Sequence, residues 1–184
     1  MPWMKHLADA LTGSRLILSA ALAVLGTVSG SGALEAGAAM VLAAWTTDAL
    51  DGPLARRSGC SQTWIGRIDL PIDVLLALAL LHLMRSAGMT PPFVAVAYVL
   101  GWALILWRCG GLTKPLGAAF QGPVYVWFTA CLLARGMFIG RMMLVWVATY
   151  AAIAWRRLLF RDIPDFLRGV RRAAGEILSG APTE

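Results

Sequence analysis

Four aspartates stand between two apolar segments that are each long enough to cross a lipid bilayer. They are Asp48, Asp51, Asp69 and Asp73, and they account for four of the ten acidic residues in the chain. A carboxylate close to lipid is costly unless a cation or another partner compensates its charge. The gathering of carboxylates in one short stretch therefore predicts a metal site at the edge of a membrane.

The composition of the chain indicates an integral membrane protein. Hydrophobic residues make up 59% of the 184 residues, against roughly 45–50% in soluble domains. The net charge of +6 is scattered between apolar segments, which favours contact with anionic membrane lipids and argues against a nucleic-acid partner. The cysteines Cys60, Cys109 and Cys131 have neither CxxC spacing nor a neighbouring His, so we expect no zinc site and no disulfide framework.

The spacing of the apolar segments predicts an all-α membrane protein with six transmembrane helices and an amphipathic interfacial helix at each end. A chain of this length predicts a single domain over residues 1–184. Its predicted parts are an interfacial helix over 1–13, six spans over 14–160 and an amphipathic tail over 161–184. We expect the third span to start near Asp69 with Pro71 in its first turn, the fifth to cover about 124–139, and polar loops over 57–66 and 108–121.

Six spans place both termini on one side of the membrane. Thirteen of the sixteen basic residues would then lie on that side, and only Arg85, Arg135 and Arg141 on the other. Basic residues accumulate in cytoplasmic loops. The chain is therefore predicted to lie in the cell (inner) membrane with its termini and its acidic stretch facing the cytoplasm.

Helical spacing arranges the four aspartates in two pairs. Asp48 and Asp51 are three positions apart, and Asp69 and Asp73 are four apart, so the members of each pair share a helix face. Two neighbouring antiparallel helices can thus direct four carboxylates to one point. Such hard oxygen ligands suit Mg²⁺ or Mn²⁺, and two ions could share them.

The residues beside the aspartates suggest a phosphorylated ligand. Gly52 and Ala55 leave room for a ligand to approach the backbone, and Arg56 can bind phosphate oxygens in a bidentate manner. This combination fits a pyrophosphate substrate, with one carboxylate left to activate a nucleophile. The alternative is that the carboxylates only form salt bridges with Arg56, Arg57 and Arg67 at the membrane surface.

The stretch from Asp48 to Asp73 resembles the signature of the CDP-alcohol phosphatidyltransferases, D-x-x-D-G-x-x-A-R-x8-G-x3-D-x3-D. Every fixed residue of that signature is present except the second glycine, whose place is taken by Ile65 with Gly66 one position later. The resemblance implies an integral membrane enzyme with six spans that is usually a homodimer. Such an enzyme moves a phosphatidyl or similar group from a CDP-alcohol to an acceptor hydroxyl and releases CMP.

The resemblance also implies roles for the aspartates. Asp48, Asp51 and Asp69 would bind two divalent metal ions. Asp73 would complete the second metal site and act as the general base. The donor implied is a CDP-alcohol lipid, with CDP-diacylglycerol as the leading candidate.

The same resemblance suggests which residues hold the donor. Gly52, Ala55 and Arg56 would contact the cytidine and the pyrophosphate. The chain also contains a segment similar to the L-T-x-x-R pattern near the N-terminus of the family, in which Thr12 and Arg15 would face the nucleotide.

The acceptor is less constrained by the sequence. Arg108, Lys114, Arg156 and Arg157 all fall on the predicted cytoplasmic side. They would suit a phosphorylated acceptor such as glycerol 3-phosphate, the leading candidate, or inositol phosphate. An equally open interpretation is that they only anchor the topology of the chain.

Two other functions are compatible with parts of the sequence. A transporter of divalent cations or small solutes would use the carboxylates as an ion path, but it predicts acidic residues near the bilayer midplane or on several spans. An inactive lipid-binding relative of the family is the other possibility, and Ile65 in place of the glycine is the feature that suggests it.

Overall fold

The structure is a computed structural model that describes residues 2–58 and 64–179. For some positions within these ranges it describes the backbone alone: 2–6, 8, 51–58, 64–67 and 176–179. All regular elements in the described residues are helical, which confirms the all-α fold class. The helices are α1 (Pro2–Ser29), α2 (Leu34–Ser58), α3 (Trp64–Ser86), α4 (Pro92–Arg108), α5 (Lys114–Ala134), α6 (Phe138–Arg157) and α7 (Ile163–Ser179).

Three helical stretches of the described chain are long and apolar enough to cross a membrane. One runs over Asp9–Leu50 and includes parts of α1 and α2, one is α5, and one runs over Phe138–Gly175. Helix α4 is also apolar but has only 17 residues. These lengths and compositions are those of an integral membrane protein, while the number of six spans stays a prediction.

The chain divides into two compact units, the first ending at Thr90 and the second beginning at Pro91. The first unit contains α1, α2 and α3, and the second contains α4 to α7. The expectation of a single domain is not decided by this division and stays a prediction.

Within the first unit, α1 packs along both α2 and α3, which touch each other much less. The packing is close because small residues stand at the crossing points. A Cβ placed on Gly26 of α1 would lie 3.1 Å from the backbone Cα of Leu83 on α3, and one on Gly37 of α2 would collide with the side chain of Leu83. Small residues permit this approach of helix backbones, which supplies much of the packing energy between helices in lipid. Leu22 and Leu80 are fully buried between these helices.

Helix α3 ends in a turn that the sequence predicts over 88–92. Gly88 has a φ of 68°, which glycine adopts without a steric penalty. Its N–H donates to the carbonyl of Arg85 at 3.1 Å, and the N–H of Met89 donates to the carbonyl of Met84 at 2.9 Å. This pair of bonds is the Schellman arrangement that closes a helix C-terminus. A turn is thus confirmed, although it covers 87–91 because Pro92 already begins α4.

Within the second unit, α7 packs against α5 and the end of α4. Gly169 of α7 lies so close to the ring of Pro115 that a Cβ there would collide with it. Cys109, Leu116 and Ala173 are buried together at this junction. A helix in the tail was predicted and is confirmed, whereas its position at a lipid interface stays a prediction.

The N-terminal helix boundaries differ from the prediction in three respects. Helix α1 runs without a break from Pro2, so residues 1–13 do not form a separate interfacial helix in the part that the structure describes. Helix α3 begins at Trp64 rather than near Asp69, which places Pro71 inside the helix. Internal proline is tolerated in membrane helices because neighbouring groups satisfy the freed carbonyl. The predicted loop over 57–66 is correspondingly shorter, and residues 59–63, which include Cys60, lie outside the described residues.

The second unit also begins its helices earlier than predicted. The loop expected over 108–121 is wrong, because α5 starts at Lys114 with Pro115 in its first turn. Proline fits there because the first N–H groups of a helix have no partner within it. The fifth apolar helix ends at Ala134 instead of near residue 139.

Candidate active site

Three of the four aspartates converge at one point in the first unit. Asp48 comes from α2, and Asp69 and Asp73 come from successive turns of α3. One carboxylate oxygen from each lies within 4.8 Å of the others. Side-chain exposure falls from 56% at Asp48 through 38% at Asp69 to 22% at Asp73. The cluster therefore has an open rim at Asp48 and a more enclosed end at Asp73.

The position of this cluster along the helices follows from where the aspartates lie in each. Asp48 lies just past the middle of α2, and Asp69 and Asp73 lie in the first half of α3. The middle of α2 is thus brought to the level of the first half of α3.

Arg15 of α1 forms ion pairs with all three carboxylates. Its Nη1 donates to Oδ1 of Asp48 at 3.0 Å and to Oδ1 of Asp73, and its Nη2 donates to Oδ1 of Asp69. Arg15 is fully buried, with 0% of its surface exposed. The guanidinium is a planar group with five donors, so one side chain can serve carboxylates from two helices at once.

Thr12 lies one turn before Arg15 on α1 and is also buried. Its Oγ1 accepts a hydrogen bond from Nη2 of Arg15 at 3.4 Å. Both residues were expected from resemblance to face a nucleotide. The structure places Arg15 against the carboxylates and in contact with Thr12, and the expectation that both face a nucleotide stays a prediction.

A comparison with protein families finds one match that covers most of the chain. The family model of the CDP-alcohol phosphatidyltransferases matches residues 5–160. The chain belongs to this family. No curated protein and no solved structure gives a significant match. As a member of the CDP-alcohol phosphatidyltransferases, the chain is a membrane transferase of phospholipid synthesis that uses a CDP-alcohol.

Family membership confirms the resemblance, but reasoning from the sequence missed Arg15 as the partner of the carboxylates. The salt-bridge alternative named Arg56, Arg57 and Arg67 instead, whose side chains lie outside the described residues. The available signal was the position of Arg15 itself. It begins an apolar run that holds no other charge up to Glu35, and a charge in such a run requires a partner from another helix.

The donor set of the cluster fits the divalent ion that the family typically requires. Three carboxylates within 4.8 Å offer hard oxygen ligands, which Mg²⁺ and Mn²⁺ prefer. Asp51 lies one turn after Asp48 in the backbone of α2, and its side chain is outside the described part. The described residues thus account for three of the four predicted ligands.

The remaining predicted site residues of this phosphatidyltransferase are less fully described. Gly52, Ala55 and Arg56 belong to the last turns of α2, where only the backbone is described. Arg108 is the last residue of α4 and Lys114 the first of α5, and both are exposed in the second unit. Their assignment to substrate binding stays a prediction.

Helix α6 ends with two further arginines that were considered for binding the acceptor. Arg156 and Arg157 are both exposed. Arg157 pairs through Nε with Oδ2 of Asp162 in the π-helical turn at 3.0 Å. Arg156 lies over the ring of Trp155 at 5.4 Å from its centroid. Both contacts are formed within α6 and the turn that follows it, and the choice between acceptor binding and anchoring stays open.

Proposed function

We propose that this protein transfers a phosphatidyl group from CDP-diacylglycerol to the hydroxyl of a small alcohol and releases CMP. The observation that carries the proposal is the convergence of Asp48, Asp69 and Asp73 within 4.8 Å, in a chain of the CDP-alcohol phosphatidyltransferase family. Glycerol 3-phosphate is the acceptor that we propose.

The four aspartates of the signature would hold two ions of Mg²⁺ or Mn²⁺. These are Asp48, Asp51, Asp69 and Asp73. When bound, the ions supply positive charge that offsets the negative charge of the donor pyrophosphate. Gly52 and Ala55 would leave space for the donor beside the ligands.

The reaction that we propose is a direct displacement at the β-phosphorus of the donor. Asp73 accepts the proton of the acceptor hydroxyl, whose oxygen forms a bond to that phosphorus. The bond from the phosphorus to the oxygen bridging it to CMP breaks, and CMP leaves with the electron pair. Asp73 suits the part of general base because it is the least exposed of the three described carboxylates. Arg56 would orient the donor through its phosphate oxygens.

A phosphorylated acceptor is supported by exposed cations. Arg108 and Lys114 stand at the end of α4 and the start of α5, with only a short turn between them. Lys114 also lies at a helix N-terminus, where backbone N–H groups favour an anion. Glycerol 3-phosphate combines such an anion with a primary hydroxyl.

We further propose that α1 to α6 are the six spans of this enzyme and that α7 lies at the interface. The bias of basic residues supports a site that faces the cytoplasm from the inner membrane. Exposed arginines on α7, among them Arg168 and Arg171, suit contact with anionic lipid headgroups. The homodimer rests on resemblance to the family, and exposed small residues of α4, Ala97 and Gly101, are candidates for its interface.

The test is an assay of the purified full-length protein in detergent with labelled CDP-diacylglycerol and Mg²⁺ or Mn²⁺. Glycerol 3-phosphate, glycerol, inositol and inositol phosphate are offered separately, and CMP and the lipid product are measured. We expect CMP release with glycerol 3-phosphate. Failure of every acceptor would reject the enzyme function. An Asp73→Asn protein that still carried divalent ions into liposomes would favour transport instead.

A further inference from the structure

We propose that Arg15 and divalent metal compete for the carboxylates of Asp48, Asp69 and Asp73, so that metal entry breaks the ion pairs of Arg15. Arg15 is then a built-in counter-cation that sets how tightly the site holds metal. This inference rests on the metal site of the proposed function and adds a residue that tunes it.

The first argument is that Arg15 and a metal ion would bind the same carboxylates. Arg15 donates to Oδ1 of each of the three carboxylates, and those carboxylates are the group that could hold a metal ion. A carboxylate oxygen that accepts a charge-assisted hydrogen bond has less electron density to offer a cation. Coordination by all three carboxylates therefore weakens the contacts of Arg15 with these carboxylates.

The second argument concerns charge. Arg15 has no exposed surface, so water does not screen its charge from a neighbouring cation. Arginine does not lose its proton in proteins, so the repulsion between the guanidinium and a divalent ion is not relieved by deprotonation. The guanidinium must withdraw from the carboxylates, or the metal binds more weakly.

The third argument is that Arg15 has another acceptor on its own helix. Oγ1 of Thr12 lies 3.4 Å from Nη2 of Arg15 and is not part of the carboxylate cluster. A guanidinium that leaves the carboxylates can keep this contact. The long arginine side chain can then move while the backbone of α1 remains packed.

The experiment measures Mn²⁺ binding to the full-length protein in detergent, without substrates. Free Mn²⁺ is counted by its electron paramagnetic resonance signal for wild type, Arg15→Gln, Arg15→Met and the control Arg85→Gln, which alters an exposed arginine of α3. We expect Arg15→Gln to bind Mn²⁺ about 5–150-fold more tightly, the range typical of coupled binding. In EDTA, the melting temperature of Arg15→Gln should fall below that of wild type, because the carboxylates then repel one another. Addition of Mn²⁺ should raise the melting temperature of Arg15→Gln more than that of wild type.

The outcomes differ in whether Arg15→Gln binds Mn²⁺ more tightly or more weakly than wild type. Equal or weaker Mn²⁺ binding by Arg15→Gln overturns the inference, since Arg15 would then only position the ligands. If Arg15→Gln does not fold, Arg15→Met decides, because methionine also removes the positive charge and suits an apolar surrounding. Tighter binding than wild type supports the inference, and equal or weaker binding overturns it. Absence of Mn²⁺ binding in every folded variant rejects the metal site itself along with the inference.

Discussion

The guanidinium of Arg15 on α1 donates a hydrogen bond to the carboxylate of Asp73 on α3, across 58 positions of the sequence. It also reaches Asp48 on α2, so one side chain joins three helices. A buried ion pair adds little net stability, but removing one partner typically costs about 3–5 kcal/mol. The arrangement of the first unit and the geometry of its site therefore depend on the same contacts.

Replacement of Asp73 by Asn tests the general base. The amide cannot accept the hydroxyl proton, so we expect the rate of CMP release to fall by about 10²–10⁴-fold. The matched control is Asp165→Asn, which alters an exposed carboxylate of α7 paired with Arg168, and its activity should equal that of wild type. An Asp73→Asn rate within a few-fold of wild type would assign the base elsewhere.

Removal of divalent metal tests the cofactor. The carboxylates of Asp48, Asp69 and Asp73 cannot offset the charge of a pyrophosphate without bound cations, so dialysis against EDTA should abolish CMP release. Addition of Mg²⁺ or Mn²⁺ should restore it, whereas Na⁺ at the same ionic strength should not. Undiminished turnover after chelation would contradict a metal-dependent mechanism.

Gly26→Ala tests the contact between α1 and α3. The added Cβ would meet the backbone of Leu83 and the side chain of His82, and overpacking of this kind costs about 1–3 kcal/mol. Gly122→Ala on α5 meets nothing within 4 Å and should instead raise stability slightly, because alanine favours the helix. Thermal unfolding in detergent measures both. Equal effects of the two substitutions would show that α1 and α3 do not require a glycine.

Gly169→Ala tests the attachment of α7 to α5. The ring of Pro115 cannot rotate away from a new Cβ, so α7 should separate from α5. Trypsin should then cut faster after the exposed Arg171 and Arg172. Gly175→Ala on the same helix has open space around it and should leave the cleavage rate unchanged. If trypsin cut Gly169→Ala no faster than wild type, the result would contradict this packing of α7 on α5.

Much of the acidic cluster could be predicted from the sequence because helix periodicity fixes which residues share a face. The spacing of Asp69 and Asp73 predicted that they point the same way, and their convergence with Asp48 is confirmed. Helix periodicity does not reveal which helix packs against several others. The central place of α1, and with it the contacts of Arg15, required the three-dimensional structure.

Helix ends were predicted well where glycine closes a turn and poorly where proline was taken as a boundary. Gly88 ends its helix as expected, because its positive φ is a local property. Pro71 and Pro115 were expected at the first turn of a span and inside a loop, respectively, but one lies within α3 and the other in the first turn of α5. Pro71 is tolerated inside α3 because of neighbouring groups, which the local sequence does not reveal. Pro115 fits the first turn of α5 for a local reason, because its missing N–H would have no partner there.

The reach of Arg15 across three helices also bears on how the protein is made. Arg15 precedes Asp48 by 33 positions and Asp73 by 58, so the ribosome completes α1 well before its carboxylate partners exist. A charged side chain inside a membrane helix is costly during insertion unless it finds a partner. We therefore expect α1 to stay beside the insertion machinery until α3 emerges, and the three helices to enter the lipid as a group.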